Sequence, residues 1–141
     1  MSITSLSVTA IRALIRSGEM TGQTAGLANG YLQANLVILP EQYALDFARY
    51  CQRNPKPCPL VGISNSGNPK FQSLGSDLDL TTYVPSYNIY EYGKLIRSPH
   101  QITDLWQEDF VGFALVCSQT FEEALVDGDF HSWNPLRNQT V

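Results

Sequence analysis

Charge is scarce in this sequence: 16% of the residues are Asp, Glu, Lys or Arg, against 43% hydrophobic ones. A chain with so much apolar side-chain surface excludes the disordered class. The 9 Lys and Arg are outnumbered by 13 Asp and Glu, giving a net charge of -4. They form no cluster, so neither a phosphate-tracking nucleic-acid surface nor an anionic-membrane surface is expected. Apolar runs stop far short of the ~20 residues that a bilayer-spanning helix needs. Histidine is limited to His100 and His131, too isolated for a histidine-based metal centre. The three cysteines, Cys51, Cys58 and Cys117, are odd in number and scattered. They spell neither a disulfide framework nor a four-ligand zinc site, and a reducing compartment is the simpler expectation. No metal and no organic cofactor are implied.

What remains is a chain of 141 residues, suited to one domain burying about two-thirds of its unfolded surface. Val8, Ile11, Leu14 and Ile15 recur at helical spacing, with Ser7 placed to cap the start and Gly18 to stop the end. Met1 to Gly18 lacks acids, as a transit peptide does, but the periodicity favours the helix. After a glycine- and threonine-rich loop, residues 33–39 read as a buried strand. Pro40 and Glu41 open a second helix with Tyr43, Ala44, Phe47, Ala48 and Cys51 on one face. Pro55 ends it by Asn54. Leu60–Ile63 reads as a short strand, 64–77 as a polar loop, and Leu80–Val84 as another strand. Tyr87–Ile89 and Leu95–Arg97 suggest a hairpin turning at Tyr92-Gly93. Thr103 is placed to cap a helix from Asp104 to about Cys117, although Val111–Val116 also has strand character. Thr120 to Glu123 matches a capping box for a helix through Val126, and residues 127–141 read as a loose, poorly ordered tail. Interleaved helices and strands indicate an α/β class of mixed α+β layers.

Chemistry concentrates at the end of the second helix. Arg53, Asn54 and Lys56 sit in Cys51-Gln52-Arg53-Asn54-Pro55-Lys56-Pro57-Cys58-Pro59, where three prolines in five residues stiffen the path. A guanidinium and an ammonium on a stiff turn suit a carboxylate, which Arg binds through two hydrogen bonds. The competing reading is that these cations only offset the helix dipole. Thr21 and Thr24, with Gly22 and Gly26, could form an anion-cradling turn, or a plain connection. Asn35 inside an apolar strand is either a satisfied core amide or an orienting donor at a pocket mouth. Cys117 reads as core, and no histidine is positioned to activate Cys58. Asp104 and Asp109 are the acid–base candidates. The glycines match no phosphate-loop or dinucleotide fingerprint.

The strings Thr21 to Leu27, Gly30 to Pro40 and Cys51 to Leu60, continued by Ile102 to Trp106, Cys117-Ser118 and Phe121 to Leu125, resemble the D-glutamate cyclase family of hydro-lyases. The resemblance implies a larger, two-lobed lyase domain that removes water from a small carboxylate such as D-glutamate, giving 5-oxo-D-proline. In that reading Arg53, Lys56 and Asp104 are catalytic, and Thr21, Thr24, Asn35 and Asn54 bind substrate. A cytoplasmic location is expected, with a mitochondrial one as the alternative, and homo-oligomerisation is compatible. The resemblance covers about Ile11 to Leu125 and the family pattern stops after Leu125 or Val126. The expectation is therefore a truncated form, with residues 1–126 the N-terminal portion of the family domain and 127–141 a non-family tail. The alternative function is a catalytically inactive binding or interaction module.

Overall fold

The computed structural model describes residues 5–118, Thr120, Gly128, Trp133–Asn134 and Gln139–Thr140. Its elements run α1 (Val8–Ser17), β1 (Ala34–Pro40), α2 (Glu41–Arg53), β2 (Leu60–Ile63), β3 (Ile89–Glu91), β4 (Lys94–Arg97), a 3₁₀ turn (Thr103–Leu105), β5 (Phe110–Val116), β6 (Trp133–Asn134) and β7 (Gln139–Thr140). Helices and antiparallel strands combine into the expected mixed α/β class.

The last strand of the main sheet lies at its centre, in the order β1-β5-β2, with both neighbours antiparallel to β5. Directly paired residues share a face, so Phe113 faces the same side as Val37 and Ile63, while Gly112 and Ala114 share the other side with Ile38, Leu36 and Gly62. On the first side α2 covers the sheet. The Phe47 ring meets Phe113 edge-on, with centroids 4.9 Å apart, and Phe113 is fully buried. Burying such a ring contributes about 2–3 kcal/mol, and the edge-to-face contact adds about 1 kcal/mol. On the second side the segment 64–84 lies close to the strands, with Phe71 and Leu80 buried against Ala114. Gly112 and Gly62 make that approach possible. A Cβ on Gly112 would stand 2.4 Å from the Leu80 side chain, and one on Gly62 would stand 3.0 Å from Phe71.

Sequence and structure agree at α1, where the Ser7 hydroxyl accepts from the Ala10 amide and Gly18 takes the left-handed stop at φ 77°. Ile11 and Ile15 pack with Leu27 in a second small core. Arg12, bonded to Asp77 at 2.9 Å, and Arg16, over the Tyr83 ring, tie this helix to the loop layer. Helix α2 and strand β2 also fall where expected. At the tip of the β3–β4 hairpin Tyr92 (φ 49°) and Gly93 (φ 76°) are both left-handed, as a type I′ turn demands.

Four expectations are corrected. The stretch from Asp104 towards Cys117 is not a helix: one 3₁₀ turn precedes β5. Phe110, Phe113 and Ala114 mimic helical spacing, but Val111 to Ala114 are all buried, as in a strand covered on both faces. Leu80–Val84 is a turn, not a strand. The Asp79 carboxylate accepts from the Thr81 amide and hydroxyl, an Asx turn that competes with ladder pairing. Strand β1 is an edge strand and only half-buried, with Asn35 exposed rather than in the core. Tyr43 is exposed, and the inward face of α2 runs through Ala44, Phe47, Ala48 and Cys51. The expected helix at 120–126 lies outside the described residues apart from Thr120. So does most of the tail, of which β6 and β7 pair as a two-residue antiparallel ladder.

Candidate functional site

Helix α2 starts beside the head of β5, where the Glu41 amide donates to Asp109 O at 2.7 Å, and it runs back along the sheet. Its C-terminal end therefore lies beside the tail of β5. There the Asn54 amide donates to the Tyr50 and Cys51 carbonyls, and the Asn54 side-chain amide donates to Tyr50 O at 2.8 Å. The chain then folds back through 55–57, and the Cys58 amide closes the turn on Asn54 O at 3.0 Å. Pro59 O accepts from the Val116 amide, which fixes the turn to the sheet. Arg53 and Lys56 are exposed and make no ion pair among the described residues.

The opposite edge of the same sheet end carries the other predicted residues. Gln33 O accepts from the Cys117 amide, and the Gln33 amide donates to the Thr120 hydroxyl at 3.1 Å. The Thr24 hydroxyl donates to Gln33 Oε1 at 2.9 Å, while Gln33 Nε2 donates to Leu27 O. Thr24 is thus engaged within the protein, whereas Thr21 and Asn35 are exposed. Three strands at about 4.8 Å spacing place the Gln33 and Pro59 edges about 10 Å apart. The fold therefore gathers Arg53, Asn54, Lys56, Thr24 and Asn35 at one end of the sheet. Asp104 is not among them. It is exposed in the 3₁₀ turn, which the Ile102 amide anchors to Thr81 O on the loop-covered face, so the sheet stands between Asp104 and Arg53. Asp109, at the head of β5, is exposed as well.

A second polar feature was legible in the sequence only as loop: a cleft of about 180 Å³ lined by Ser64, Asn65, Asn68, Lys70, Gln72 and Ser73 over Ile63 and Phe71. The run Ser64-Asn65-Ser66-Gly67-Asn68-Pro69-Lys70 was the available signal. Its cation is already committed, since Lys70 Nζ bonds Asp79 at 2.8 Å. Burial works to raise the Asp79 carboxyl, but hydrogen bonds from Lys70 and Thr81 outweigh it and hold the group below its ordinary value. That partner in turn raises the Lys70 ammonium. The volume is well below the ~300 Å³ at which ligand sites begin. A neutralised cation in a small cleft is a weaker carboxylate receptor than Arg53 and Lys56, which have no ion-pair partner among the described residues.

Elsewhere, the buried Tyr87 hydroxyl donates to Leu80 O at 2.8 Å, and burial pushes its pKa well up, as for a structural tyrosine. Among the described residues no helix is long and apolar enough to cross a membrane, and no group of three or more His, Cys, Asp or Glu residues could hold a metal ion.

No family model matches the chain. Curated proteins do. A protein of Dinoroseobacter shibae is 56% identical over 131 residues, covering 93% of this chain and 44% of that protein. One of Ruegeria pomeroyi is 54% identical over 135 residues, 96% of this chain and 49% of its own length. One of Azorhizobium caulinodans is 51% identical over 128 residues, 91% of this chain and 46% of its own length. The chain spans about half the length of the curated relatives it matches, and all three carry the name "Putative hydro-lyase".

Proposed function

We propose that this chain carries the carboxylate-binding part of a hydro-lyase that removes water from a small carboxylate substrate, with D-glutamate going to 5-oxo-D-proline. The observation that carries the reading is the 51–56% identity, across more than nine-tenths of the chain, to proteins named as hydro-lyases. The geometry supports it at one place. Arg53 and Lys56 present two positive charges, without an ion pair among the described residues, from a turn held by Asn54, Cys58 and three prolines. Such a turn loses little freedom when it binds. Arg53 takes one carboxylate through its planar fork, while Lys56 and Asn54 polarise the second carboxyl. Asn35 lies exposed at the same end of the sheet and, with the exposed Thr21, completes the binding surface, with Thr24 orienting Gln33 behind them.

In the cyclisation the neutral substrate amine attacks the side-chain carboxyl carbon. The N–C bond forms, one carboxyl oxygen leaves as water, and the amine proton must be removed as that oxygen is protonated. The step therefore needs a base and an acid. Arg53 and Lys56 contribute by lowering the energy of the charge developing on the carboxyl oxygens. Asp104 stands across the sheet and takes no part. The odd number and scattered spacing of the three cysteines support a reducing, cytoplasmic setting.

A specific observation favours the second reading, an interaction module. Tyr90, Tyr92, Leu95 and Ile96 on the β3–β4 hairpin are all exposed, Tyr92 completely, and apolar surface of this kind marks contact sites. Formation of 5-oxo-D-proline from D-glutamate separates the two. Turnover that Arg53→Ala abolishes without moving the melting temperature supports the lyase reading. Absence of turnover, with concentration-dependent self-association, supports the module.

A further inference from the structure

We infer that Cys51 and Cys58 form a peroxide-oxidisable dithiol, whose disulfide ties the last turn of α2 to the proline-bound turn carrying Arg53, Asn54 and Lys56. Two backbone hydrogen bonds bring the cysteines together: Asn54 N to Cys51 O at 3.1 Å, and Cys58 N to Asn54 O at 3.0 Å. The first closes the helix and the second folds the chain back over its final turn. The result places the Cys58 thiol within hydrogen-bonding reach of the Cys51 thiol. Pro55, Pro57 and Pro59 restrict alternative paths for the intervening chain.

The two sulfurs differ in a way that divides the labour. Cys51 is 1% exposed, and Cys58 is half-buried, so an oxidant from solvent reaches Cys58 first. Burial, and then the neighbouring Cys58 thiol, push the Cys51 thiol up, which keeps it protonated and inert until a sulfenic acid forms beside it. With hydrogen peroxide as the oxidant, the Cys58 thiolate attacks one peroxide oxygen. An S–O bond forms, the O–O bond breaks, and hydroxide leaves with the thiol proton as water. The Cys51 sulfur then attacks the Cys58 sulfenic sulfur, forming the S–S bond and expelling a second water. Sulfur loses two electrons and peroxide gains them. A dithiol reductant reverses the change. Cys117 Sγ donates to Gln33 O at 3.4 Å, on the β1 side of β5, whereas Cys58 precedes Pro59 on the β2 side. The inference does not depend on the lyase reading, because it concerns the loop's covalent state and not its substrate.

The test treats the full chain with a slight excess of hydrogen peroxide, quenches it, and measures intact mass, free thiols and tryptic peptides. The expected result is a loss of two hydrogen atoms and of two of the three thiols, restored by dithiothreitol. Trypsin should then release Tyr50–Arg53 linked to Asn54–Lys70, because Lys56-Pro57 resists cleavage and Arg53-Asn54 does not. Cys51→Ser should leave a sulfenic acid at Cys58 that dimedone traps, and Cys58→Ser should remain unmodified at Cys51. Oxygen addition without the linked peptide in the unsubstituted chain would overturn the inference. So would a disulfide that includes Cys117 or joins two chains. That first measurement decides the matter even if a serine variant fails to fold.

Discussion

Replacing Gly67 with alanine should cost this protein about 3–4 kcal/mol. Gly67 sits at φ +73°, and a Cβ there would stand 2.4 Å from the Glu108 carbonyl oxygen and 3.1 Å from its carbon. The left-handed backbone alone costs an L-residue about 1–2 kcal/mol. The clash is with backbone, so no rotamer relieves it and the turn before β5 must move. That movement strains two bonds, from the Gly67 amide to Phe110 O at 2.9 Å and from Trp106 Nε1 to Gly67 O at 2.9 Å, each worth about 1 kcal/mol. In a chain of this size 1 kcal/mol moves the midpoint by about 3 °C, so the melt should fall by about 10 °C. Two other glycines isolate the contributions. Gly30 has φ +80° and open space around it, so Gly30→Ala should lose only about 3–6 °C. Gly22 has neither constraint and should be neutral or slightly stabilised as alanine. Calorimetric melts of the three variants check the series. A Gly67→Ala midpoint no lower than that of Gly30→Ala would refute the packing of this loop on β5.

Phe113→Ala removes the fully buried ring between α2 and the sheet and should cost about 3–5 kcal/mol, read as a lower urea midpoint. Arg53→Ala removes an exposed side chain that makes no ion pair among the described residues, so its midpoint should stay within about 0.5 kcal/mol of the parent. Asp79→Asn should destabilise by about 1 kcal/mol near neutral pH, a figure reduced for the solvent exposure of Lys70. Because the folded carboxyl lies below its ordinary 3.8, its contribution is complete above that pH and is lost as the pH falls through the folded value. The parent and variant melts should therefore converge on acidification below 3.8.

Local signals carried the parts of this fold that local physics decides. Ser7 and Gly18 bound α1, Pro40 and Pro55 bracket α2, and Tyr92-Gly93 turns the hairpin, each through backbone chemistry within a few residues. What could not be read depends on distant partners. Phe110 to Val116 becomes the central strand because β1 and β2 pair on either side of it. Its Gly112 makes sense only once Leu80 is seen packed against that position. Leu80–Val84 has strand-like side chains, yet the Asp79 carboxylate captures Thr81 and bends the chain. At the site, the proline-bound turn was legible and so were its cations. The separation of Asp104 from Arg53 by the sheet was not, since it follows from which face each segment covers. The polar cleft at 64–73 was also hidden, because its walls meet only when the loop folds onto β2.

The most direct test of the carboxylate site is calorimetric titration of D-glutamate into the full chain and into Arg53→Ala. Saturable binding to the parent, weakened at least about tenfold in the variant, is the predicted result, since a charge-assisted pair contributes about 1.5–3 kcal/mol. Equal binding by both proteins, or none by the parent, would contradict the assignment of this turn as the receptor.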